Sequence, residues 1–369
     1  MALGSFRSWL RLLRRSASID RAYVPRVLAV SLSTLLTSPL RLYESARYGR
    51  SVRRTPIHPA PVFILGHWRT GTTHLHNLLC EDEQFGYIST FQAIAPGFCL
   101  MGEKRLKPLL AKKAQRDHPT REIDNIPLSL DAPQEEAFAL ANLSPYAWLH
   151  LYALPRQAPE IFDKYALLNH LSPAERAEWT DSYLALLRKA TLRSQGKRLV
   201  LKDPANTGRI RTLLDLFPQA KFIHICRDPY RVLPSMAGVY KVVLPKAQLQ
   251  AIPPEQIETL VLRFYEQLMR KYVTEKPLIP AGNLVEVKYE ELEAAPLDEL
   301  RRIYERLGFP GFATAEPAFR RYLDSVRGFQ KNSYRVDDSV IEQVNRHWQF
   351  ALEMWGYPRR HPSTGQDDK

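Results

Sequence analysis

Cysteine is scarce in this chain, and its three copies are spaced so that they form neither a disulfide framework nor a metal knuckle. Cys80, Cys99 and Cys226 lie far apart, and Cys80 and Cys226 sit in apolar runs. Reduced, buried thiols and a reducing, cytoplasmic compartment are therefore expected. Long apolar runs are missing too: the uncharged stretch between Arg26 and Arg41 has 14 residues, short of the roughly 20 that span a bilayer. Acidic residues are nearly absent from the start of the chain. Residues 1–60 hold eleven arginines against Asp20 and Glu44, a net charge of +9 that leaves only +4 of the total +13 for the rest. A core so close to neutral, without basic and aromatic residues interleaved, excludes nucleic acid as the expected partner. No internal repeat or low-complexity linker divides the chain.

The chain is long enough for one large core, and its layout reads as three parts. Residues 1–58 form a basic amphipathic arm, with Pro25 and Pro39 bracketing its apolar stretch. Flanking arginines suit it either to an anionic membrane surface, making the protein peripheral, or to packing on the domain. Residues 59–357 form the domain, and the polar residues 358–369 read as a disordered tail. Short apolar runs at 62–65, 199–201, 221–226 and 284–287 read as strands, with helical patterns between them. This predicts an α/β fold with a P-loop-like parallel sheet, helices on both faces, and a helical insertion at about 102–197.

Residues 61–79 carry the first functional signal. An apolar strand breaks at Gly66, crosses a short loop and enters a helix near Thr72, the geometry in which backbone N–H groups and a helix dipole hold phosphate. The spacing Gly66-x-x-x-x-Gly71 matches a P-loop, but Thr72 stands where the triphosphate-gripping lysine belongs. The fixed positive charge is Arg69, inside the loop. Two more strand ends deliver cations to the same edge. Lys202 ends the run LVLK before Asp203-Pro204, with Asn206 or Thr207 capping the next helix, and Arg227 comes directly after KFIHIC. Ser235 lies eight residues beyond Arg227 on the helix after that strand, and Asp228 reads as that helix's cap. An NTPase would end this strand in a magnesium-binding aspartate. Three cations without such a carboxylate predict a multiply charged anion bound without metal.

With these residues in place, GHWRTGTTHLHNLL, LVLKDPAN and ICRDPYRVLPS together resemble the sulfotransferases that use 3′-phosphoadenosine 5′-phosphosulfate (PAPS). The likeness is to the bacterial branch, which shares features with tyrosylprotein sulfotransferases, and covers roughly residues 61 to 357. It implies that Arg69, Thr70, Gly71, Thr72 and Thr73 bind the 5′-phosphosulfate. Arg227 and Ser235 would hold the 3′-phosphate, and Lys202 would neutralise charge on the bridging oxygen. The reaction implied is metal-independent, in-line transfer of a sulfuryl group to a hydroxyl or amine.

The general base does not carry over. Where some relatives have a histidine four residues past the motif lysine, this chain has Asn206; where others have a glutamate, it has Thr90. Glu135 and Glu136 are the candidate carboxylates, although Asp131-x-x-Gln134 reads as a capping box that would make them ordinary first-turn acids. His67, inside the loop, is a further candidate, whereas His74 and His76 point to different helix faces and are no metal pair. Residues 328–332 are expected to add nucleotide contacts. The acceptor is left open among small molecules, lipids and glycans. A nucleotide kinase or NTPase, and a non-enzymatic membrane-associated nucleotide binder, are the competing functions.

Overall fold

Five short parallel strands, in the order β2–β3–β1–β4–β5, carry the site. They are β1 (Val62–Leu65), β2 (Phe85–Gly86), β3 (Arg198–Lys202), β4 (Lys221–Cys226) and β5 (Leu284–Lys288). The structure is a computed structural model describing residues 3–16, 18–117, 120, 128–328 and 334–363. Successive side chains of a strand face opposite sides, so a sheet covered on both faces needs apolar residues throughout. In β1, Phe63 and Leu65 enter one core while Val62 and Ile64 enter the other, all fully buried. Burial of each such side chain contributes about 1.5–3 kcal/mol. One face is covered by α4 (Thr72–Cys80), α15 (Pro296–Leu307) and α16 (Phe312–Val326). The other is covered by α12 (Pro229–Ala247), α13 (Pro254–Glu275) and the insertion.

Register decides what the sheet edge presents. Ile64 of β1 pairs with Lys202 of β3 on one side and with Ile223 of β4 on the other. The loop after β1, Lys202 and Arg227 therefore emerge at the same C-terminal edge, where open α/β sheets bind ligands. The four strands expected from the sequence are present, and β2 adds an edge strand of two residues, too short to show in a pattern. Helices begin directly after it, so the helical insertion opens at α5 (Thr90–Ile94) rather than near residue 102. It continues through α6 (Cys99–Gly102), α7 (Lys107–Asp117), α8 (Glu136–Leu143) and α9 (Ala158–Ile161) to α10 (Pro173–Arg193). A reciprocal capping box of Ser172 and Glu175 starts α10.

The arm packs on the domain. Its helices are α1 (Phe6–Arg15), α2 (Val24–Leu36) and α3 (Ser38–Arg54). Trp9 and Leu12 enter the main core, and Trp9 Nε1 donates to Ser31 Oγ at 2.8 Å. Arg11 makes a fork to Glu178 (2.5 and 2.9 Å), and Arg156 makes one to Asp20 (2.8 Å each). Glu44, 1 % exposed, accepts from Lys189 Nζ at 2.6 Å and from the Met101 backbone at 3.0 Å. Of the two placements expected for the arm over 1–58, these contacts match packing on the domain, whose hydrophobic core Trp9 and Leu12 join. The expected loose tail is also partly tied down. Arg360 donates to Asp228 at 2.7 Å through its side chain and to Tyr230 at 3.0 Å through its backbone. Residues 364–369 lie outside the described residues.

Candidate active site

The loop from Gly66 to Gly71 is built to leave backbone groups facing outward. Gly66 and Gly71 have φ of 138° and 93°, and Arg69 adopts 73°, a left-handed conformation costly for any residue but glycine. A Cβ on Gly71 would meet the Tyr289 ring at 2.2 Å, and one on Gly66 the Ile225 carbonyl at 2.4 Å. Thr207 pins the loop's start: its hydroxyl donates to Gly66 O (3.0 Å) and accepts from Gly66 N–H (2.8 Å). Thr70 closes the turn, with its hydroxyl donating to His67 O at 2.7 Å. Gly71 then caps α4 with no side-chain bond, and Thr72 and Thr73 open the helix.

The three expected cations converge on this loop. Arg69 Nε donates to Ser235 Oγ at 2.9 Å, and Arg227 Nη1 donates to the Arg69 carbonyl at 3.1 Å. Arg227 stacks 4.3 Å over the Tyr289 ring, and its buried Nε has no partner. Lys202, 2 % exposed, donates to Thr73 Oγ1 (3.2 Å) and to Glu135 Oε1 (2.5 Å). Asp228 caps α12 through Tyr230 N–H at 3.0 Å, as the sequence predicts.

A cavity of about 460 Å³ opens beside the loop. Arg69, Thr72, Thr73 and Glu135 form its polar end; Trp68, Phe138, Trp148, Tyr152, Val239 and Val243 form most of its apolar wall. Arg26, Asn142, His150 and Lys246 add polar groups elsewhere on the lining, and a mostly apolar chamber with a few placed polar groups is the usual build of a small-molecule site.

A sulfotransferase family model matches residues 61–314, the span that contains the loop, all three cations and Ser235. The chain belongs to the sulfotransferase family. It is similar to the omega-hydroxy-beta-dihydromenaquinone-9 sulfotransferase Stf3 of Mycobacterium bovis, with 32% identity, 98% of this chain and 92% of the relative. The same values hold for the Mycobacterium tuberculosis Stf3. Among solved structures, sulfotransferase STF9 from Mycobacterium avium shares the fold at a TM-score of 0.72 and 20% identity, covering 96% of this chain and 91% of that one. This sulfotransferase is therefore an enzyme of sulfuryl transfer on a P-loop-like fold, and the kinase alternative is not favoured.

The sulfotransferase separates its candidate bases sharply. Glu135 stands at the N-cap of α8, in extended conformation, and lines the cavity. The capping box expected at Asp131 and Gln134 does not form, because α8 begins only at Glu136 with Glu135 as its N-cap, and Asp131 pairs with Lys107 and Arg193 instead. Glu136 turns the other way, 1 % exposed, and accepts from Asn206 Nδ2 at 2.6 Å and Tyr183 OH at 3.2 Å. Beside it Asp203 accepts from Trp148 Nε1 (3.2 Å) and Arg209 (3.1 Å). Burial, with help from Asp203, pushes the Glu136 carboxyl up to about 7. His67, 1 % exposed, lies against Tyr265 with Nδ1 on its neighbour's carbonyl, outside the cavity lining. Of the segment 328–332, residues 329–332 lie outside the described residues.

Several wall residues carry no motif. Trp148, Tyr152, Val239 and Val243 come from the insertion and α12, and only the aromatic inside the anion loop, Trp68, is conspicuous in the sequence.

Buried histidines should make this sulfotransferase acid-sensitive. Burial lowers His67 and His76 to about 3, and His150 and His224 to about 4. Each is neutral in the fold while its unfolded counterpart gains a proton below about 6.5. The stability this supplies is complete above 6.5 and is lost as pH falls toward 4, at about 2 kcal/mol per histidine by pH 5. Glu136 runs oppositely: its share is complete below about 4.5 and is lost as pH rises through 7. Thermal unfolding followed by circular dichroism should show the midpoint dropping steeply between pH 6.5 and 5. A flat midpoint over that range contradicts the assignment.

Proposed function

We propose that this enzyme transfers the sulfuryl group of PAPS to the hydroxyl of an apolar small molecule. The observation that carries this reading is the meeting of Arg69, Lys202 and Arg227, from three βα junctions, around one loop. The residues suit PAPS in three ways. The unpartnered Arg227 Nε is a buried donor, α4 begins without a side-chain cap, and Gly66 and Gly71 let the loop close against the Ile225 carbonyl and the Tyr289 ring, which holds it in its anion-binding shape. A lysine at Thr72 would serve a γ-phosphate, which PAPS lacks. When bound, PAPS supplies an activated sulfuryl group and a bisphosphorylated leaving group.

The chain's own residues take these roles in the proposal. Arg69, Gly71, Thr72 and Thr73 hold the 5′ end. Thr70, whose hydroxyl is spent on His67, shapes the loop instead of donating to the ligand. Arg227 and Ser235 hold the 3′-phosphate. Lys202 stabilises negative charge developing on the leaving oxygen, the preorganised electrostatic effect that dominates such transfers. Glu135, facing the cavity beside Lys202, takes the acceptor proton. Glu136 and His67, both sealed from the cavity, are assigned to the scaffold.

A lining that is mostly apolar, with Glu135 its one carboxylate among the described residues, favours a lipid-like alcohol over a glycan, and the relative's name, an omega-hydroxy-beta-dihydromenaquinone-9 sulfotransferase, points the same way. We place the enzyme in the cytoplasm, in keeping with three unpaired cysteines, and peripheral to the membrane. No described helix is long and apolar enough to cross one.

Ligand protection tests the nucleotide assignment. Adenosine 3′,5′-bisphosphate at a hundredfold excess over its Kd should raise the thermal midpoint by roughly 3–4 °C, and ATP with magnesium should not. Protection by ATP alone returns the chain to the kinase reading. Radiolabelled sulfate transfer from PAPS into a lipid extract then identifies the acceptor.

A further inference from the structure

Helices α2 and α3 keep an apolar outer face in solvent. Leu28, Leu32, Leu35, Leu36, Leu42 and Tyr43 are all more than half exposed, from 51 % to 71 %. Positions 28, 32, 35 and 36 recur at helical spacing, so their side chains share one face of α2. Only Thr37 separates α2 from α3, and Leu42 and Tyr43 extend the patch onto α3. A soluble surface seldom leaves so many large apolar side chains contiguous without a use.

Charge says what covers it. Beyond Tyr43 the exposed residues of α3 include Arg47, Arg50, Arg53 and Arg54. The sole acidic residue from 21 to 54 is Glu44, which is turned inward onto Lys189. The outer face is thus apolar at one end, cationic at the other, and carries no negative charge. That complements a bilayer containing anionic lipid, where leucines enter the interface and arginines meet headgroups.

The opposite face of α2 belongs to the catalytic cavity. Arg26 and Val30 line it, and Arg26 ties α2 to the end of α12 through Gln248 O (2.6 Å) and Pro245 O (2.8 Å). One helix thickness, about 10 Å, separates the exposed leucines from the chamber.

We infer that the outer face of α2 and α3 docks on an anionic lipid bilayer, bringing the mouth of the acceptor cavity to the membrane surface. The docking half stands on exposure and charge; the acceptor half rests on the function proposed above. A lipid-like alcohol then reaches Glu135 without crossing bulk water.

Flotation of the full chain with vesicles tests this directly. It should float with phosphatidylcholine vesicles containing 30% phosphatidylglycerol, and at least about tenfold less with pure phosphatidylcholine. The triple variant L28S/L32S/L36S should lose at least about tenfold in vesicle affinity while binding adenosine 3′,5′-bisphosphate as the parent does, which shows that its fold is intact. R47E/R50E/R53E should weaken binding and remove its salt dependence. A parent that stays unbound with anionic vesicles overturns the inference. So does a parent dimer that the leucine substitutions convert to monomer with vesicle binding unchanged, since the patch is then a subunit interface. Failure to bind adenosine 3′,5′-bisphosphate with vesicle binding retained overturns the acceptor half and the proposed function, leaving the docking face standing.

Discussion

Replacing Lys202 with alanine is expected to lower sulfuryl transfer at least about a hundredfold, because a single preorganised charge at a leaving oxygen is worth about 3–4 kcal/mol. Lys202 is rigidly placed for the role proposed. Its ammonium is 2 % exposed, fixed by Thr73 on α4 and by Glu135, so little reorganisation is needed when charge develops. The truncation also leaves Glu135 without its partner, but Glu135 lines an open cavity and is rehydrated there. The fold should therefore survive, with an unchanged circular dichroism spectrum. Affinity for adenosine 3′,5′-bisphosphate should change far less than turnover, since the interaction is made mainly in the transition state. A variant within a few-fold of the parent rate removes Lys202 from the mechanism.

Glu135→Gln is the second large effect. A positioned general base contributes about 10²–10⁴-fold, and glutamine keeps the shape while removing the proton acceptor. The expected result is a kcat at least about a hundredfold lower. Glu136→Gln should stay within a few-fold, because its carboxyl faces Asn206 and Tyr183 rather than the cavity. If Glu136→Gln is the damaging change and Glu135→Gln is not, the base lies in the buried network and the acceptor approaches from another side.

What the sequence makes legible here is whatever ends an apolar run. Arg69, Lys202 and Arg227 are visible because each stands at or just past the end of a short buried strand, and strand ends in a parallel sheet share an edge. The choice between Glu135 and Glu136 is invisible for the opposite reason. It depends on Glu135 meeting Lys202 while Glu136 meets Asn206, contacts over 67 and 70 positions in the chain that no local pattern encodes. Strand β2 is missed because two residues make no period. The cavity is missed because its walls come from α2, α8, the segment around Trp148 and α12, and apolar residues in each look like ordinary core. The arm's role is half legible: its arginines and short apolar stretch suit both placements, and the inward turn of Trp9, Leu12 and Glu44 shows only in three dimensions.

That inward turn has a consequence for how the catalytic unit is delimited. With Trp9 and Leu12 embedded among residues of the insertion, and Val30 facing the chamber, residue 60 is not an edge. Trimming the chain to the segment that matches the family would strip a wall from the acceptor's room and bare a greasy scar beneath α1. Such a fragment should aggregate, and its inactivity would say nothing about chemistry. Helix α1 shares the domain's core and α2 lines its cavity, so a change in what they touch should reach the acceptor site proposed there.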